Sequence, residues 1–470
     1  MHWKKSDLLF LPVGGSEEIG MNANLYHYED KWILIDLGIS FPDETDLGID
    51  VLLPDFEFIK SLGDDFLGIF LTHGHEDHIG AIPYFADDIN CPVWGTSFTM
   101  ALLKRKLKEN NKEKKLKLNT LTINEQLKIG PFQIKAIQTS HSIPDPVSLL
   151  ISTKEGKIFH SGDWKLEKSF NLNEKTNIEN FRSIGASGIL AMVCDSTNAL
   201  VNGKTPSENI AYEGLFDTIK DRKGTVLVTC FSSNISRIKS ILDIALKTDR
   251  TVLVVGRAIL RAIDAAKEVG FLTDIPDLLS LKDLSLIPRS NVLIISTGSQ
   301  GEPNSALSRI SKDTDKFIKL VKGDTIIFSS RKIPGNENAI LKVQNRFLER
   351  GIEIITDDDK NVHVSGHPSR DELIEMYSYI KPKISIPVHG TREHIEAHAD
   401  LASNCQVPNI IKPKNGEIIK LNANTPNAIS KINFTTHVFD AGEIIPINNE
   451  RFTTRRHSLW HGFVTISIVI

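Results

Sequence analysis

Apolar and polar positions alternate in two distinct textures along the chain. Over roughly the first two hundred residues, short apolar runs are each closed by polar residues or Gly: 32–35, 68–71, 134–137, 147–151 and 188–193. Runs this short and this sharply bounded predict buried strands rather than helices. Strands that are apolar on both faces need a second layer on each side, which predicts packed sheets covered by helices. Beyond about residue 205 the texture changes, and strands (225–230, 251–255, 291–296, 324–329) alternate with helices (236–246, 259–269). That alternation predicts a parallel sheet built from β-α-β units. After about residue 358 the first texture returns, with a strand over 384–388 and a helix over 393–402. The second domain is therefore expected to be inserted into the first. The expected limits are 1–205 and 359–435 for the two parts of the outer domain and 206–358 for the insertion. Residues 436–470 are expected to be a linker and the start of a further, shortened domain.

Composition changes this picture little. Apolar residues make up 40% and charged residues 24% of the 470 positions, as in ordinary globular proteins. The formal net charge of −4 gives no general attraction to nucleic acid, so any such binding has to be local. Lys104 to Lys117 is rich in lysine. It reads as a solvated helix face, with a strip for a polyanion backbone as the functional alternative. Cys91, Cys194, Cys230 and Cys405 form no CxxC pair. They are expected to be free, mostly buried thiols in a reducing cytoplasm. The amino terminus has no apolar signal region, and no apolar run is long enough for a membrane span.

The candidate chemistry centres on Thr72-His73-Gly74-His75-Glu76-Asp77-His78, which follows a predicted strand. Imidazoles and carboxylates suit zinc or a similar divalent ion. Four ligands within six residues cannot all reach one ion with good geometry, so two adjacent ions are expected. Other predicted strands deliver a His or Asp just past their ends: His141, Asp163 (in His160-Ser161-Gly162-Asp163) and His389. Any one of these histidines alone would pass as a satisfied core or surface residue. Together they supply the remaining ligands, with Asp163 as the natural bridge.

Further segments extend the pattern: Gly14-Gly15-Ser16-Glu17-Glu18-Ile19-Gly20, Phe41-Pro42-Asp43, Leu47-Gly48-Ile49-Asp50, Asp195-Ser196-Thr197-Asn198, Thr297-Gly298-Ser299-Gln300-Gly301-Glu302-Pro303, Ile333-Pro334-Gly335-Asn336-Glu337, His363-Val364-Ser365-Gly366-His367 and Pro387-Val388-His389-Gly390. In this order the set resembles the metallo-β-lactamase superfamily in its β-CASP nuclease branch, most closely the bacterial ribonuclease J family. The resemblance implies an α/β fold: an αββα sandwich with an inserted parallel-sheet β-CASP domain. It implies His73, His75, His141 and Asp163 as ligands of one ion, and Asp77, His78, Asp163 and His389 of the other. Asp36 matches a residue that orients a ligand. His367, Asp77 and Asp195 are the implied catalytic residues, with His367 facing the scissile phosphate. Ser329, Ser330, Ser365, Gly366, His367 and His398 resemble a pocket for a 5′-monophosphate.

The implied activity is hydrolysis of RNA phosphodiester bonds from the 5′ end, with internal cleavage as a second mode, in RNA maturation and decay. The implied cofactors are two divalent ions, zinc first, with manganese or magnesium as alternatives. The implied partner is RNA bearing a 5′-monophosphate, and the implied assembly a homodimer or homotetramer in the cytoplasm. A β-CASP DNA nuclease, another hydrolase of the fold, or a metal-free binding subunit are the competing readings. The chain departs from the family pattern at Pro368, where Gly is usual, and at Thr391-Arg392-Glu393. The stretch 462–470 resembles the first strand of the family's C-terminal domain, cut short. His394 and His398 lie one helical turn apart and read as an ordinary helix face.

Overall fold

In the computed structural model of the protein, the described residues are 3–42, 48–167, 176–273, 275–333, 335–462 and 464. Strand Lys31–Ile35 shows how the apolar runs become layers. Ile33 and Ile35 face a second sheet, while Trp32 and Leu34 face helices on the outer side. Side chains alternate across a strand, so a sheet covered on both faces requires a continuous apolar run. The first sheet has eight strands, Asn427–Lys431, Glu417–Lys420, Leu9–Gly14, Ala23–Tyr28, Lys31–Ile35, Phe66–Phe70, Val93–Gly95 and Leu118–Thr120 in spatial order. The second has seven: Asn409–Ile410, Ile384–Val388, Ala191–Asp195, Lys157–His160, Val147–Ser152, Phe132–Gln138 and Gln126–Ile129. Phe10, Tyr26, Ile33, Ile35 and Phe70 of the first sheet meet Phe132, Ile134, Leu149, Ile158 and Val193 of the second. Helices Ile178–Ala186, Arg370–Ile380 and Arg392–Asn404 cover the far face of the second sheet through Phe181, Leu373, Met376 and Leu401. The result is an αββα sandwich.

A third sheet of five strands is parallel throughout, in the order Thr251–Val255, Val292–Ser296, Val226–Thr229, Thr325–Phe328, Glu353–Ile355. In sequence it lies between strands Ala191–Asp195 and Ile384–Val388, which pair directly with each other. The parallel sheet is thus an excursion from the second sheet, and the chain returns to the neighbouring strand position. Apolar residues of the excursion, among them Ile235, Ile259 and Ile263, join the same buried cluster as Phe98 and Leu102 of the outer domain.

Predicted and observed elements differ mainly at their ends: the strand expected over 188–193 is Ala191–Asp195, and the helix expected over 259–269 is Arg257–Glu268. The lysine-rich stretch forms the end of helix Ser97–Glu109 and the turn after it. Lys106 pairs with Glu76 at 2.6 Å, and Lys112 and Lys115 both pair with Asp87. These three lysines are neutralised locally, which favours the plain reading of that face over a polyanion strip. Cys91, Cys194 and Cys230 are buried free thiols, each pushed up to about 12 by burial, and Cys405 is half-buried. Among the described residues no helix is long and apolar enough to cross a membrane. Residues 450–461 form a helix. The strand expected just after it falls on positions that lie, apart from 462 and 464, outside the described residues.

Candidate metal centre

Strand Phe66–Phe70 ends at the sandwich edge, and the chain then turns through His73 and His75 into the single helical turn Glu76–Ile79. Extended backbone carries His73 and His75 to one side, and the helical turn carries Asp77 and His78 to the other. The end of strand Lys31–Ile35 runs against this loop. Leu37 N–H donates to the His78 carbonyl at 2.8 Å. A Cβ at Gly38 would lie 1.7 Å from the Asp77 carbonyl oxygen, so the close approach requires glycine there. The other candidates arrive from the second sheet: His141 after Phe132–Gln138, Asp163 after Lys157–His160, Asp195 at the end of Ala191–Asp195, and His389 after Ile384–Val388.

These side chains converge. His75 Nδ1 lies 3.0 Å from both His73 Nε2 and His141 Nε2. Asp163 Oδ2 lies 3.7, 3.6 and 3.3 Å from the Nε2 atoms of His73, His141 and His78. His389 places Nδ1 2.9 Å from Asp163 Oδ1 and Nε2 3.2 Å from Asp77 Oδ2. Two sets, His73, His75, His141, Asp163 and Asp77, His78, Asp163, His389, each hold their ligand atoms within 4.8 Å of one another. A third set, Asp163, Asp195, His367 and His389, meets the same criterion.

The chemistry of the donors fits divalent ions. Burial holds His73 and His141 well below the usual imidazole range and His75 down at about 4, so all three are neutral. Metal ligation needs that form. The Gly366 carbonyl accepts from His141 Nδ1 at 2.7 Å, which fixes the proton there and leaves Nε2 as a lone pair facing the cluster. A Cβ on Gly366 would meet the His141 ring at 2.7 Å, so glycine is needed at this contact too. Asp36 does the same for His78, accepting from Nδ1 at 2.7 Å while it also accepts from Thr72 N–H and Thr72 Oγ1, both at 2.8 Å. Nitrogens about 2 Å from one tetrahedral ion sit roughly 3.3 Å apart, close to the spacing seen here. His389 Nε2 is buried, and its nearest polar group is Asp77 Oδ2 at 3.2 Å.

Charge points the same way. Burial alone would raise the Asp163 carboxyl, but His389, His78 and His367 outweigh it and hold it well below its usual range. Asp77 is likewise held low, against burial, by His78 and His389. Burial would lower His389, yet Asp163 and Asp77 lift it to about 10. The carboxylates of Asp77 and Asp163 are thus balanced chiefly by the rings of His78 and His389.

His367 stands beside this cluster, its side chain one-fifth exposed, with Nδ1 2.8 Å from Asp195 Oδ2. The other Asp195 oxygen accepts from Thr197 N–H and Oγ1. Burial works to lower the His367 ring, but Asp195 and Asp163 raise it overall. Among the remaining candidates, Ser365 and Gly366 border the cluster. Two others do not fit an open phosphate pocket. Ser329 is buried, its hydroxyl donating to the Val362 carbonyl and receiving Arg237. His398 is fully buried, with Nδ1 bonded to Ser196 Oγ at 2.8 Å and Nε2 to Tyr377 at 2.9 Å. Both side chains are consumed by the packing of the helix and strand that carry them. Ser330 lines a separate cavity with Ser299, Lys332, Gln344 and Thr356. The expected pocket is therefore dispersed, and only its Ser365-Gly366-His367 part lies at the metal cluster. His394 bonds Thr391 Oγ1, away from the Ser196 and Tyr377 partners of His398.

Residues that the sequence reading passed over also serve the site. Asn22 lies 3.1 Å from His78 Nε2 and donates to the Asp77 carbonyl. Thr72 links Asp36 to the loop. Asn198 donates to Ser365 Oγ and to the His367 carbonyl at 2.9 and 3.1 Å. Each adjoins or closes a segment already singled out, which was the available signal.

Comparison with known proteins gives three family matches. Residues 223–347 match "Ribonuclease J, beta-CASP domain", residues 20–175 match "Metallo-beta-lactamase superfamily", and residues 349–413 match "Zn-dependent metallo-hydrolase RNA specificity domain". The chain is 40% identical to a ribonuclease J of Sinorhizobium meliloti, the alignment covering 99% of this chain and 83% of that one. It is 34% identical to a ribonuclease J of Synechocystis, covering 98% and 73%, and 35% identical to one of Helicobacter pylori, covering 89% and 61%. A solved structure of a protein of unknown function from Enterococcus faecalis superposes with a TM-score of 0.64 at 18% identity, over 88% of this chain and all of that one.

Proposed function

The chain belongs to the ribonuclease J family and is a metal-dependent ribonuclease, and from that premise we propose that it shortens RNA from the 5′ end, with internal cleavage as a second mode. The observation that carries the chemistry is the convergence of His73, His75, His141, Asp77, His78, Asp163 and His389 beside the His367–Asp195 pair. We assign the first ion to His73, His75, His141 and Asp163, and the second to Asp77, His78, Asp163 and His389. Zinc suits this mixture of imidazole and carboxylate, with manganese and magnesium as alternatives. Such ions supply Lewis acidity and an acidified water for an in-line displacement at phosphorus. Everything else falls to the protein. Asp36 and the Gly366 carbonyl hold His78 and His141 in the ligating tautomer. Asp195 holds His367 through Nδ1, so Nε2 is free to hydrogen-bond the scissile phosphate or to give a proton to the departing 3′ oxygen. A terminal-phosphate site about Ser365 and Gly366, beside His367, would favour one phosphate over three if built to the size of one.

We place the domain limits at 205/206, 358/359 and 435/436, and the protein in the cytoplasm, where its free thiols remain reduced. Sedimentation would test a homodimer or homotetramer. The decisive experiment is the product ladder from metal-loaded protein and RNA labelled at its 3′ end. A 5′-monophosphate substrate shortened progressively, and faster than its triphosphate counterpart, supports the proposal. Equal rates on both ends remove the terminal-phosphate preference. Products from internal cuts alone remove the 5′-end mode.

A further inference from the structure

Arg331 sits just past strand Thr325–Phe328 in the parallel-sheet domain, with its side chain exposed. Its guanidinium Nη1 donates to Asn198 Oδ1 at 2.8 Å, across the boundary between the two domains. Asn198 is buried, and its own amide holds Ser365 Oγ and the His367 carbonyl. One asparagine thus ties Arg331 to the loop that carries His367. The backbone of Arg331 is gripped separately: Gln300 donates to its carbonyl at 2.9 Å and accepts from Ile333 N–H at 2.9 Å. Arg331 is therefore held at both ends, beside a cluster rich in buried carboxylates.

Its neighbours in charge are spoken for. Arg237 is fully buried against Glu208, Lys165 is buried against Glu167, and Lys332 pairs with Asp358. Among the described residues no carboxylate lies within ion-pair distance of Arg331, and Asp357 feels its charge only at longer range. That charge is felt on the helix that follows His389: burial, opposed by Glu393 and reinforced by Arg331, holds the His394 ring below its usual range. A planar guanidinium fixed at one corner keeps its other N–H donors for an oxyanion, the geometry that favours phosphate.

We infer that Arg331 is an RNA-phosphate-binding residue, presented by Asn198 so that a phosphate of the substrate strand is registered against His367. The inference rests on the ribonuclease reading. It also explains how a chain of net charge −4 can hold a polyanion at an acidic cluster: the attraction is local and fixed rather than spread over the surface.

The test uses the full chain, metal-loaded, in a His367→Ala background so that bound RNA persists. The probe is a ten-nucleotide RNA with a 5′-monophosphate and a 3′ fluorophore, titrated by anisotropy at several salt concentrations. Arg331→Gln should bind roughly tenfold more weakly. Its plot of log affinity against log salt should be shallower by about 0.7, the loss of one contact to a single strand. Arg331→Lys should keep the slope while losing part of the affinity, since it retains the charge but not the fork. An Arg331→Gln protein with unchanged affinity and slope would make Arg331 a mere staple between domains. So would a lowered melting temperature with the salt slope unaltered. If neither the wild type nor the His367→Ala parent binds this RNA, the 5′-end reading fails, and this inference with it.

Discussion

Replacing Asp36 with Asn tests whether the charge and tautomer of a residue that touches no ion control the metal centre. Asp36 is fully buried and uses both oxygens: Oδ1 accepts from Thr72 N–H, and Oδ2 accepts from Thr72 Oγ1 and His78 Nδ1. Asn keeps the shape but offers only one acceptor. If its oxygen takes the Thr72 N–H, its amide N–H₂ faces His78 Nδ1. That nitrogen must then accept, and the His78 proton moves to Nε2, the atom that lies 3.3 Å from Asp163. If the amide flips, two N–H donors face each other at Thr72. The first outcome puts a proton where Nε2 would ligate; the second leaves a buried polar contact unmade, at about 1–3 kcal/mol. Partners of this kind typically change metal affinity by about 10- to 100-fold, which corresponds to about 1.4–2.8 kcal/mol. Competition with a chelator of known affinity measures it directly. Asp36→Asn should load its second ion about 10- to 100-fold more weakly, and turnover should recover in excess metal. A folded variant with metal affinity within about twofold of wild type would refute the reasoning.

Three further outcomes are expected. Asp163→Ala should lower metal content more than any other single ligand change, because its carboxylate is the one member common to all three four-residue sets; elemental analysis showing a larger loss in His75→Ala would contradict this. His367→Ala should keep its metals and its RNA affinity while turnover drops roughly 100- to 10,000-fold, and loss of metal in that variant would make His367 a ligand of the third set instead. Asp145 accepts from Thr96 Oγ1 and Phe98 N–H at the start of helix Ser97–Glu109, and burial lifts its carboxyl to about 7 from an ordinary 3.8. The stability linked to this raised value is complete below pH 3.8 and lost as pH rises through about 7. Between those limits the denaturation midpoint of wild type should therefore fall relative to that of Asp145→Asn, and parallel profiles would show that Asp145 is not the linked group.

How much was legible in the sequence follows from the range of the interactions. Layering could be read directly, because a strand apolar on both faces must be covered on both faces, and 32–35 and 147–151 advertise that locally. The insertion was legible because the period of apolar residues changes at its borders. The candidate ligands could be named because strand ends and their polar residues are neighbours in sequence, and residues 72–78 bring four of them within one loop. Roles set over long distances in the chain could not be read. The proton on His141 is placed by a carbonyl at Gly366, and Asp163 meets His389 across more than two hundred positions. Ser329 and His398 were candidates by family resemblance, yet tertiary packing turned both inward to Val362, Arg237, Ser196 and Tyr377. Arg331 carries no local signature, and Asn198 only its place at the end of the 195–198 segment. Their pairing exists only because the inserted domain folds back against the edge of the sandwich. Local patterning thus determined which segments become strands and which side chains can serve chemistry, since those depend on neighbours in the chain. Only the tertiary structure decided which nitrogen faces the cluster, which polar groups are consumed by packing, and which cation is left free, because those depend on partners the chain brings together by folding.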